Sequence, residues 1–581
     1  MSSAAAAAAP VVASMHPKVA CMFTRDEETG ALTLQLPNYA MRSDVTAELF
    51  TAISAHCVEH LVYGTIASKN RDEVYAALLK CASITSLHSK DWSADTIDFT
   101  SAMLQRAGSA TSELKLRMYN AGNQLMECNA RLRAAVAESR TLTSLQLNTD
   151  AINGGTRAWC EVMKKNRSIT DVHFARIRYD PQYGLPGGDV IALFDALQAG
   201  GRIKRLDLDS CFSTPSGIDL FLYRLRDRST LTQLGLSGNM MSATGWGSIA
   251  ALLTSDRCEL QSLDVSNCEC SAAGAAAIAE SLKRNSRLTD LRLANNRNIG
   301  AKGSIVLAES LEKNISIQLI DLSSCGVEER GAAALGTALL HNTTLKSLLL
   351  SFNHEIGSKG TLALASSLSS NCTLSQLDVL ACGIGDVGAS ALASSIRSST
   401  ALRQLDISCN AIKDAGALAI AASLKRNMTL TSLVMYTNDF TDVGLAAIAG
   451  ALQQNATLTC LYIFGSPGIW TLTGLDSFLT LISSNTSITR IELSGLEPAH
   501  NEKLQQYLAR NRAASKQRNA ANSSVSAAAT SAATFHQLAV SQSAVGDLQQ
   551  QLEAEKVRSA AERLQASAAA SSALQASQAE L

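Results

Sequence analysis

The sequence has few aromatic residues and no long hydrophobic run. Aromatic residues make up 4% of the 581 residues, although hydrophobic residues make up 46%. A core must therefore be built mainly from Leu, Ile, Val and Ala, which suits thin repeated layers better than one bulky centre. No apolar run approaches the ~20 residues of a transmembrane helix. The formal net charge of -1 gives no global indication of binding to nucleic acid or a membrane surface.

Several signatures of chemistry and of export are also missing. The chain contains no CxxC pair and no Gly-Lys dipeptide, and hence no Walker A loop. The stretch "MSSAAAAAAPVVAS" has no basic region before its Ala run, so we do not interpret it as a secretory signal. The 14 cysteines are therefore expected to be reduced thiols of a cytoplasmic protein. A nuclear, ciliary or cytoskeletal location is compatible with the same observations.

One catalytic pattern does occur. "HCVEH" (56–60) matches the HxxEH pattern of some zinc peptidases, in which His56 and His60 would bind the metal and Glu59 would act as the base. That chemistry needs both histidines on one face of a helix, whereas "VEHLVY" fits the start of a strand. We therefore expect the two histidines to lie on different elements. We predict that the protein is not an enzyme and that it has no catalytic residue, no cofactor and no metal site.

What the sequence does contain is an internal repeat. "LDLDSC", "LDVSNC", "IDLSSC" and "LDVLAC" end at Cys211, Cys268, Cys325 and Cys382, each 57 residues after the last. Midway between them, "LGLSGN", "LRLANN", "LLLSFN" and "LDISCN" end in Asn. The unit is LxxLxLxx(N/C), with steps that alternate between 28 and 29 residues.

Thirteen repeats are clear, and three degenerate ones are predicted to precede them, starting at Val58, Ile84 and Thr111. The clear repeats begin at Leu142, Ile169, Ile203, Leu231, Leu260, Leu288, Ile317, Leu345, Leu374, Leu402, Leu430, Leu458 and Ile488.

Each repeat contains two hydrophobic periods. LxL alternates like a strand with one buried face, and the segment after it, as in "GAAAIAESLKRN" (274–285), has the apolar spacing of a helix. Gly274 recurs in later repeats, where we expect a side chain to crowd the helix start or its neighbour. The positions are Gly303, Gly331, Gly360, Gly388, Gly416 and Gly444.

Two polar positions that recur from repeat to repeat have structural interpretations. The Asn that precedes each new strand is predicted to end the helix in the left-handed conformation; these residues are Asn285, Asn314, Asn342, Asn371, Asn427 and Asn455. Cys268 is predicted to turn the chain after its strand and to pack inward as a small apolar group. A metal site would need four converging ligands, whereas the period separates the repeated cysteines.

These motifs resemble the ribonuclease-inhibitor type of leucine-rich repeat, the family of ribonuclease inhibitor, the Ran GTPase-activating protein and the repeat domains of NOD-like receptors. The resemblance covers residues 142 to about 497 clearly. It implies an α/β solenoid shaped as a horseshoe, with a parallel concave sheet and convex helices. It also implies that the surface binds another macromolecule. Partner-contacting residues of those families are not part of the repeat consensus, so none is transferred here.

The segments outside the array differ in composition. We predict disorder over 1–14, an N-terminal cap with degenerate repeats over 15–141, and the repeat array over 142–510. An Ala/Ser-rich linker is predicted over 511–540. Residues 541–581 are rich in helix formers, but Ala and Ser interrupt the heptad. They are predicted to form a C-terminal helical tail, either a weakly self-associating coiled coil or a lone helix.

Two groups of side chains are predicted on the concave face, where the third, fifth and seventh positions of LxxLxLxx point. The first is an acidic track of Asp207, Asp264, Asp321, Asp378 and Asp406. It either serves the repeat, through bonds to nearby strand groups, or attracts a basic partner; Arg292 in its middle favours the first interpretation.

The second group is apolar and lies towards the C-terminal end. It consists of Leu349, Phe352, Leu380, Val434, Tyr436, Tyr462 and Phe464. Large apolar side chains replace Ser or Asp there, so we predict a partner-binding patch. The alternative is that the C-terminal segment or the curvature covers it. Trp470 stands where other repeats have a core residue, four positions before Gly474, and is expected in the core.

The leading functional hypothesis is a non-enzymatic scaffold or adaptor that binds an unidentified protein through the concave face. No nucleic-acid or membrane partner is predicted. The alternative, which comes from the resemblance, is a GTPase-activating type of regulator of a small GTPase.

Overall fold

The computed structural model describes most of the repeat array and parts of the N-terminal region. The described residues are 22–25, 31–36, 59–63, 71–81, 83–89, 94–106, 110–116, 126–148, 156–175, 187–199, 202–212, 214–226, 230–464, 470–493 and 495–518. The predicted disorder over 1–14, the tail over 541–581 and most of the predicted linker lie outside them.

Short strands recur once per repeat. Within the described residues they are β1 Phe23–Arg25, β2 Leu32–Gln35, β3 His60–Tyr63, β4 Ser86–Ser89, β5 Glu113–Leu116, β6 Ser144–Asn148, β7 Asp171–Ala175, β8 Arg205–Asp207, β9 Gln233–Gly235, β10 Ser262–Asp264, β11 Asp290–Arg292, β12 Leu319–Asp321, β13 Ser347–Leu349, β14 Gln376–Asp378, β15 Gln404–Asp406, β16 Ser432–Val434, β17 Cys460–Ile463 and β18 Arg490–Leu493.

The strands form one open sheet in chain order. From β2 to β18 each strand pairs in parallel with the next. At the N-terminal edge β1 pairs with β2 antiparallel. The segments of the three degenerate repeats supply β3, β4 and β5, and β2 extends the parallel sheet one strand further towards the N-terminus.

A helix follows nearly every strand, as parallel pairing requires a crossover. The α-helices are α1 Arg71–Lys80, α2 Ala94–Gln105, α3 Met126–Glu138, α4 Thr156–Lys165, α5 Gly187–Gln198, α6 Pro215–Leu225, α7 Ala243–Thr254, α8 Ala272–Leu282, α9 Gly300–Leu311, α10 Glu329–His341, α11 Gly357–Leu368, α12 Gly385–Ser398, α13 Asp414–Leu424, α14 Asp442–Leu452 and α15 Leu472–Ile482. A last helix, α16, covers residues 498–518.

The core lies between the sheet and the helices. In β10, Leu263 is completely buried, whereas Ser262 and Asp264 on either side of it are half-buried. On the helix side, α8 buries Ile278 and Leu282. The same alternation recurs along the array, so the sheet has one face covered by helices and one face directed away from them, here called the open face. The predicted α/β leucine-rich repeat solenoid is confirmed.

The glycines at the helix starts allow adjacent helices to pack closely. A Cβ on Gly303 would lie 2.6 Å from Cγ2 of Ile299 and 3.1 Å from Cβ of Ala275 in the preceding helix. A Cβ on Gly444 would lie 2.8 Å from Cβ of Ala417. Contacts this short displace backbone or neighbours, so the predicted crowding is confirmed.

A ladder of buried Asn and Cys side chains joins the repeats where the strands end. Asn296 donates from Nδ2 to the carbonyls of Leu293, in its own repeat, and Val265, in the preceding one, at 2.7 and 2.9 Å. Its Oδ1 accepts from the backbone N–H groups of Cys268 and Cys270 at 2.9 and 2.8 Å. One side chain thus satisfies four backbone groups that the turn leaves without strand partners.

The cysteines of the ladder do more than fill space. The Sγ of Cys268 lies 3.1 Å from the carbonyl oxygen of Leu236 in the preceding repeat, and Cys325 and Cys382 make the equivalent contact at 3.0 and 3.1 Å. All three are completely buried. Interpreting Cys268 as a purely apolar packing group was therefore incomplete, because its thiol also donates a hydrogen bond across the repeat boundary.

The Asn residues at the helix ends do not adopt the left-handed conformation, and that prediction is wrong. Asn342 has φ -74° and ψ 129°, and the other five are likewise absent from the residues with positive φ. They act through their side chains instead. Asn314 donates to the carbonyl of Leu282 in the preceding repeat at 2.8 Å and accepts from the N–H of Ile317 at 2.7 Å.

The chain divides into two compact units, Met1–Asn501 and Glu502–Leu581. The sheet belongs to the first unit. Of the second unit the structure describes only residues 502–518, which are helical, so helix continues into the first residues of the predicted linker. Among the described residues, no helix is long and apolar enough to cross a membrane.

Replacing Asn296 with Ala tests the ladder. The substitution leaves two buried N–H groups and removes a donor from two carbonyls. Each unsatisfied buried group costs about 1–3 kcal/mol, so we expect the free energy of unfolding in urea to fall by about 3 kcal/mol or more. Asn298→Ala is the matched control, since Asn298 is exposed two residues away. Equal losses in both variants would contradict the bridging role.

Candidate functional site

The aromatic residues of the C-terminal repeats meet on the open face. Val434 and Tyr462 face each other in the β16–β17 register. The ring of Tyr436 lies edge-on to those of Tyr462 and Phe464, with centroid distances of 5.9 and 6.4 Å. Phe464 is 53% exposed. These four residues form one contiguous surface, called the aromatic patch below.

Charged groups at the edge of the sheet hold the aromatic patch in place. The hydroxyl of Tyr436 donates to the carboxylate of Glu492 at 2.7 Å, and the guanidinium of Arg490 lies 5.5 Å from the ring centroid of Tyr462. Burial, followed by the hydrogen bond to Glu492, raises the pKa of Tyr436 above its usual value. Its hydroxyl therefore stays protonated and remains a donor.

The other three predicted apolar residues form a separate group. Leu349 lies on β13, Leu380 follows β14, and Phe352 follows β13. The register places Asp378 and Asp406 between Leu349 and Val434. Three strand spacings amount to about 14 Å along the sheet. The seven residues are thus two apolar groups with acidic side chains between them.

Phe352 has an unusual backbone. Its φ is 60°, which for a bulky residue is a genuine outlier, and its side chain is 54% exposed. The eighth position of the repeat is left-handed in neighbouring repeats too, where small or polar residues occupy it: Ser210, Gly238, Asn267, Asn295, Ser324, Ala381, Cys409 and Thr437. Phe352 therefore combines backbone strain with the exposure of a large ring.

The acidic track has a local structural role in four of its five members. Asp264, Asp321, Asp378 and Asp406 each accept a hydrogen bond at 2.9 Å from the backbone N–H two residues later. This is how Asp stabilises a turn after a strand. The repeat itself thus accounts for these aspartates.

Asp207, the fifth member, has different surroundings. Its Oδ2 lies 2.9 Å from Nδ1 of His173, and one oxygen each of Asp207 and Asp209 and one nitrogen of His173 all lie within 4.8 Å of one another. Burial alone would lower the pKa of His173, but the bond to Asp207 outweighs it and raises the pKa. Burial and the Asp207 carboxylate raise the pKa of Asp209 to about 7. No motif in the sequence marks this cluster.

The cysteines at residues 268 and 270 belong to the interior. Burial raises the pKa of Cys268 to about 12 and that of Cys270 still further. Cys270 occupies the place of the core residue four positions before a helix glycine, as Val327 does in a later repeat. Trp470 stands at this place in its own repeat; it is half-buried and donates from Nε1 to the carbonyl of Phe440 at 3.0 Å.

The HxxEH pattern does not lie on one helix. His60 begins strand β3 and Glu59 directly precedes it, while His56 lies outside the described residues. The metal site of these peptidases needs both histidines on one helix, and His60 lies on a strand. The zinc-peptidase interpretation therefore fails at His60.

The family model described as "Leucine Rich repeat" matches residues 341–365, 370–393, 398–421 and 426–449. No curated protein sequence matches the chain. These repeats, together with the parallel sheet, show that the chain is a leucine-rich repeat protein.

Solved structures with low identity are similar to parts of the chain. The leiomodin-1 actin-binding site 2 is 18% identical, with 34% of this chain and 95% of that chain covered and a TM-score of 0.26. The Caenorhabditis elegans tropomodulin C-terminal domain is 12% identical, with 33% of this chain and 98% of that chain covered and a TM-score of 0.25. A chain of the Rad7 and Elc1 complex in yeast is 15% identical, with 74% of this chain and 88% of that chain covered and a TM-score of 0.39. Likeness at this level carries nothing about the partner of this chain.

Thiol labelling tests the interior position of the ladder cysteines. Burial raises the pKa of Cys268, Cys325 and Cys382 to about 12, so they expose almost no thiolate at neutral pH. With iodoacetamide and peptide mass spectrometry, we expect the exposed Cys372 and Cys409 to react in the native protein. The three ladder cysteines should react only after unfolding. Labelling of native Cys268 at the rate of Cys372 would contradict this arrangement.

Replacing Phe352 with Asn tests the strain at the eighth position. Asn is what this position holds at residues 267 and 295, and it tolerates positive φ, so we expect a gain of about 1 kcal/mol in the free energy of unfolding. Phe464→Asn is the control, because Phe464 is equally exposed but lacks positive φ. A loss of stability in Phe352→Asn would mean that the ring serves packing instead.

Proposed function

We propose that this leucine-rich repeat protein is a non-enzymatic protein-binding scaffold or adaptor, with the aromatic patch as its main contact surface. The repeats themselves support protein binding in general. The finer assignment, to the open face and to these residues, is the proposal.

The observation that carries the proposal is large apolar surface where the fold does not need it. Phe464 is 53% exposed, and other repeats have Ser at the same position, as at Ser266 and Ser323. Tyr and Phe clustered at a surface are typical anchors of protein interfaces. The repeat would be equally complete with Ser, so these rings are best explained by something that covers them.

The charges around the aromatic patch indicate the kind of partner. Asp406 lies on the strand next to Val434, and Glu492 on the strand next to Tyr462. The adjoining second apolar group is bordered by Asp378. Glu492 is already paired with Arg490 at 3.5 Å, so Asp378 and Asp406 are the acidic residues that a partner could meet. A surface with apolar side chains for the aromatic patch and with Lys or Arg towards these two aspartates fits this pattern. Leu349, Phe352 and Leu380 then form a second contact for an extended partner.

The alternative, a regulator of a small GTPase, rests on the family resemblance alone. A single-turnover hydrolysis assay with a panel of small GTPases separates it from a scaffold, because a scaffold leaves the hydrolysis rate unchanged.

The test is affinity capture with the full chain and with a Tyr436→Ala, Tyr462→Ala, Phe464→Ala variant. Central interface aromatics cost about 2 kcal/mol each on truncation, so we expect the variant to lose the partner identified with the unaltered chain. The melting temperature is measured on both proteins, to show that any loss arises in a folded molecule.

The matched control removes exposed apolar side chains from the helices instead. Leu362, Leu418 and Val443 are 55%, 47% and 57% exposed, and changing all three to Ala should leave capture intact. Undiminished capture by a folded aromatic variant would reject the aromatic patch as the binding surface. Equal loss in both variants would indicate a nonspecific apolar effect.

A further inference from the structure

We propose that His173, Asp207 and Asp209 bind a divalent first-row transition-metal ion on the open face of the sheet. The three residues come from two adjacent repeats. They lie away from the aromatic patch and are independent of the function proposed for it.

Strand register and strand period bring the three side chains together. His173 on β7 pairs directly with Asp207 on β8. Asp209 follows Asp207 by two residues and lies in the turn directly after β8. As a result, one ligand atom from each residue lies within 4.8 Å of the others.

Asp207 has partners that its counterparts lack, because His173 and the side chain of Asp209 both face it. Asp264 and Asp321, at the same position of other repeats, accept the N–H two residues later at 2.9 Å. In Asp207 the oxygen Oδ2 faces His173 instead. The other oxygen, Oδ1, is buried, and the backbone N–H of Asp209 contributes to holding the carboxylate. A carboxylate that is directed at an imidazole and at a second carboxyl group is suited to a cation shared by all three.

The neighbouring repeat leaves space for this arrangement. Gly235 pairs with Asp207 from the opposite side, on β9. A Cβ on Gly235 would lie only 2.7 Å from Oδ1 of Asp207. In the next repeat Asp264 occupies this register position instead. The strand that pairs with Asp207 thus has glycine where the following repeat has aspartate.

Electrostatics favours a cation over the bare cluster. Asp207 and Asp209 place two half-buried carboxylates side by side, and like charges this close disfavour each other. His173 can pair with only one of them in the present geometry. A divalent ion would contact both carboxylates and the imidazole at once.

The ligand set indicates the class of metal. One imidazole nitrogen and two carboxylate oxygens suit Zn²⁺ and its first-row neighbours, whereas Mg²⁺ and Ca²⁺ prefer oxygen ligands alone. At metal–ligand distances of about 2.0–2.1 Å, tetrahedral ligand atoms lie about 3.3 Å apart. The 2.9 Å between His173 Nδ1 and Asp207 Oδ2 is close to that value. Three protein ligands leave a coordination position for water or for a group from a partner.

The experiment measures binding of Zn²⁺ to the full chain, freed of any histidine tag and stripped with a chelator. Isothermal titration calorimetry of the unaltered chain is compared with a His173→Gln, Asp209→Asn variant. We expect about one equivalent of Zn²⁺ to bind with an affinity that the variant loses by a factor of about ten or more. Bound Zn²⁺ should also raise the melting temperature of the unaltered chain but not of the variant. Mg²⁺ should not compete.

Two controls make the outcome specific. Asp321→Asn changes an aspartate at the same repeat position as Asp207 and should bind Zn²⁺ normally. Cys372→Ser with Cys409→Ser removes, as a competing site, the thiols that are exposed in the described part of the chain. Unchanged Zn²⁺ affinity in the folded His173/Asp209 variant, or loss of binding only in the cysteine variant, would overturn the proposal. If His173→Gln, Asp209→Asn does not fold, Asp209→Asn alone serves in its place with the same expected loss.

Discussion

This structure depends on one kind of interaction: a buried Asn side chain that hydrogen-bonds to backbone groups of two neighbouring repeats. After each three-residue strand the chain turns, and the turn leaves backbone N–H and carbonyl groups inside the protein without strand partners. Buried backbone groups must be satisfied. Asn296 satisfies four at once, from two repeats, and Asn353 repeats the arrangement 57 residues later. The cysteine of the intervening repeat completes the line with a thiol hydrogen bond. A second line of Asn does the same where helices end.

This constraint explains why the open face can vary. Three features determine the spacing and register of the repeats: the ladder, the buried Leu positions and the helix-start glycines. All of them lie on the side of the sheet that the helices cover. Third-, fifth- and seventh-position side chains of each repeat contribute little to that framework. Asp264 stabilises its own turn, but Val434 or Tyr462 at the same position leaves the sheet intact. Departures from the usual residue on the open face are therefore the best indicators of function, and both the aromatic patch and the His173 cluster are such departures.

The sequence was sufficient to predict the fold, since the two hydrophobic periods recur often enough to define strands, helices and their parallel order. It also placed the aromatic residues together, because register follows from the repeat.

The sequence did not reveal that Asn285 works through its side chain, since the same residue type serves both a left-handed helix end and an amide bridge. Nor did it separate Leu349 from Val434: a list of apolar positions does not count the two acidic strands between them. The strain at Phe352 depends on the positive φ of the eighth position, and the residue type alone does not indicate that angle. His173 and Asp207 stand at the fifth position of consecutive repeats, so the repeat implies that they are neighbours; it does not show that the Asp207 carboxylate faces the imidazole or that Asp209 joins them.

The two unusual regions of the open face are too far apart to form one site. His173 lies on β7 and Val434 on β16, nine strands apart, which corresponds to about 43 Å along the sheet. In a solenoid each repeat contacts only its neighbours, so a substitution in one region has little means of reaching the other through packing. A single small ligand cannot touch both regions. If one partner engages both, it must be a long surface that follows the sheet, and then the His173 cluster and the apolar rings would contact different segments of it. Otherwise the two proposed sites are independent, and the framework between them, regular from β10 to β15, sets their separation.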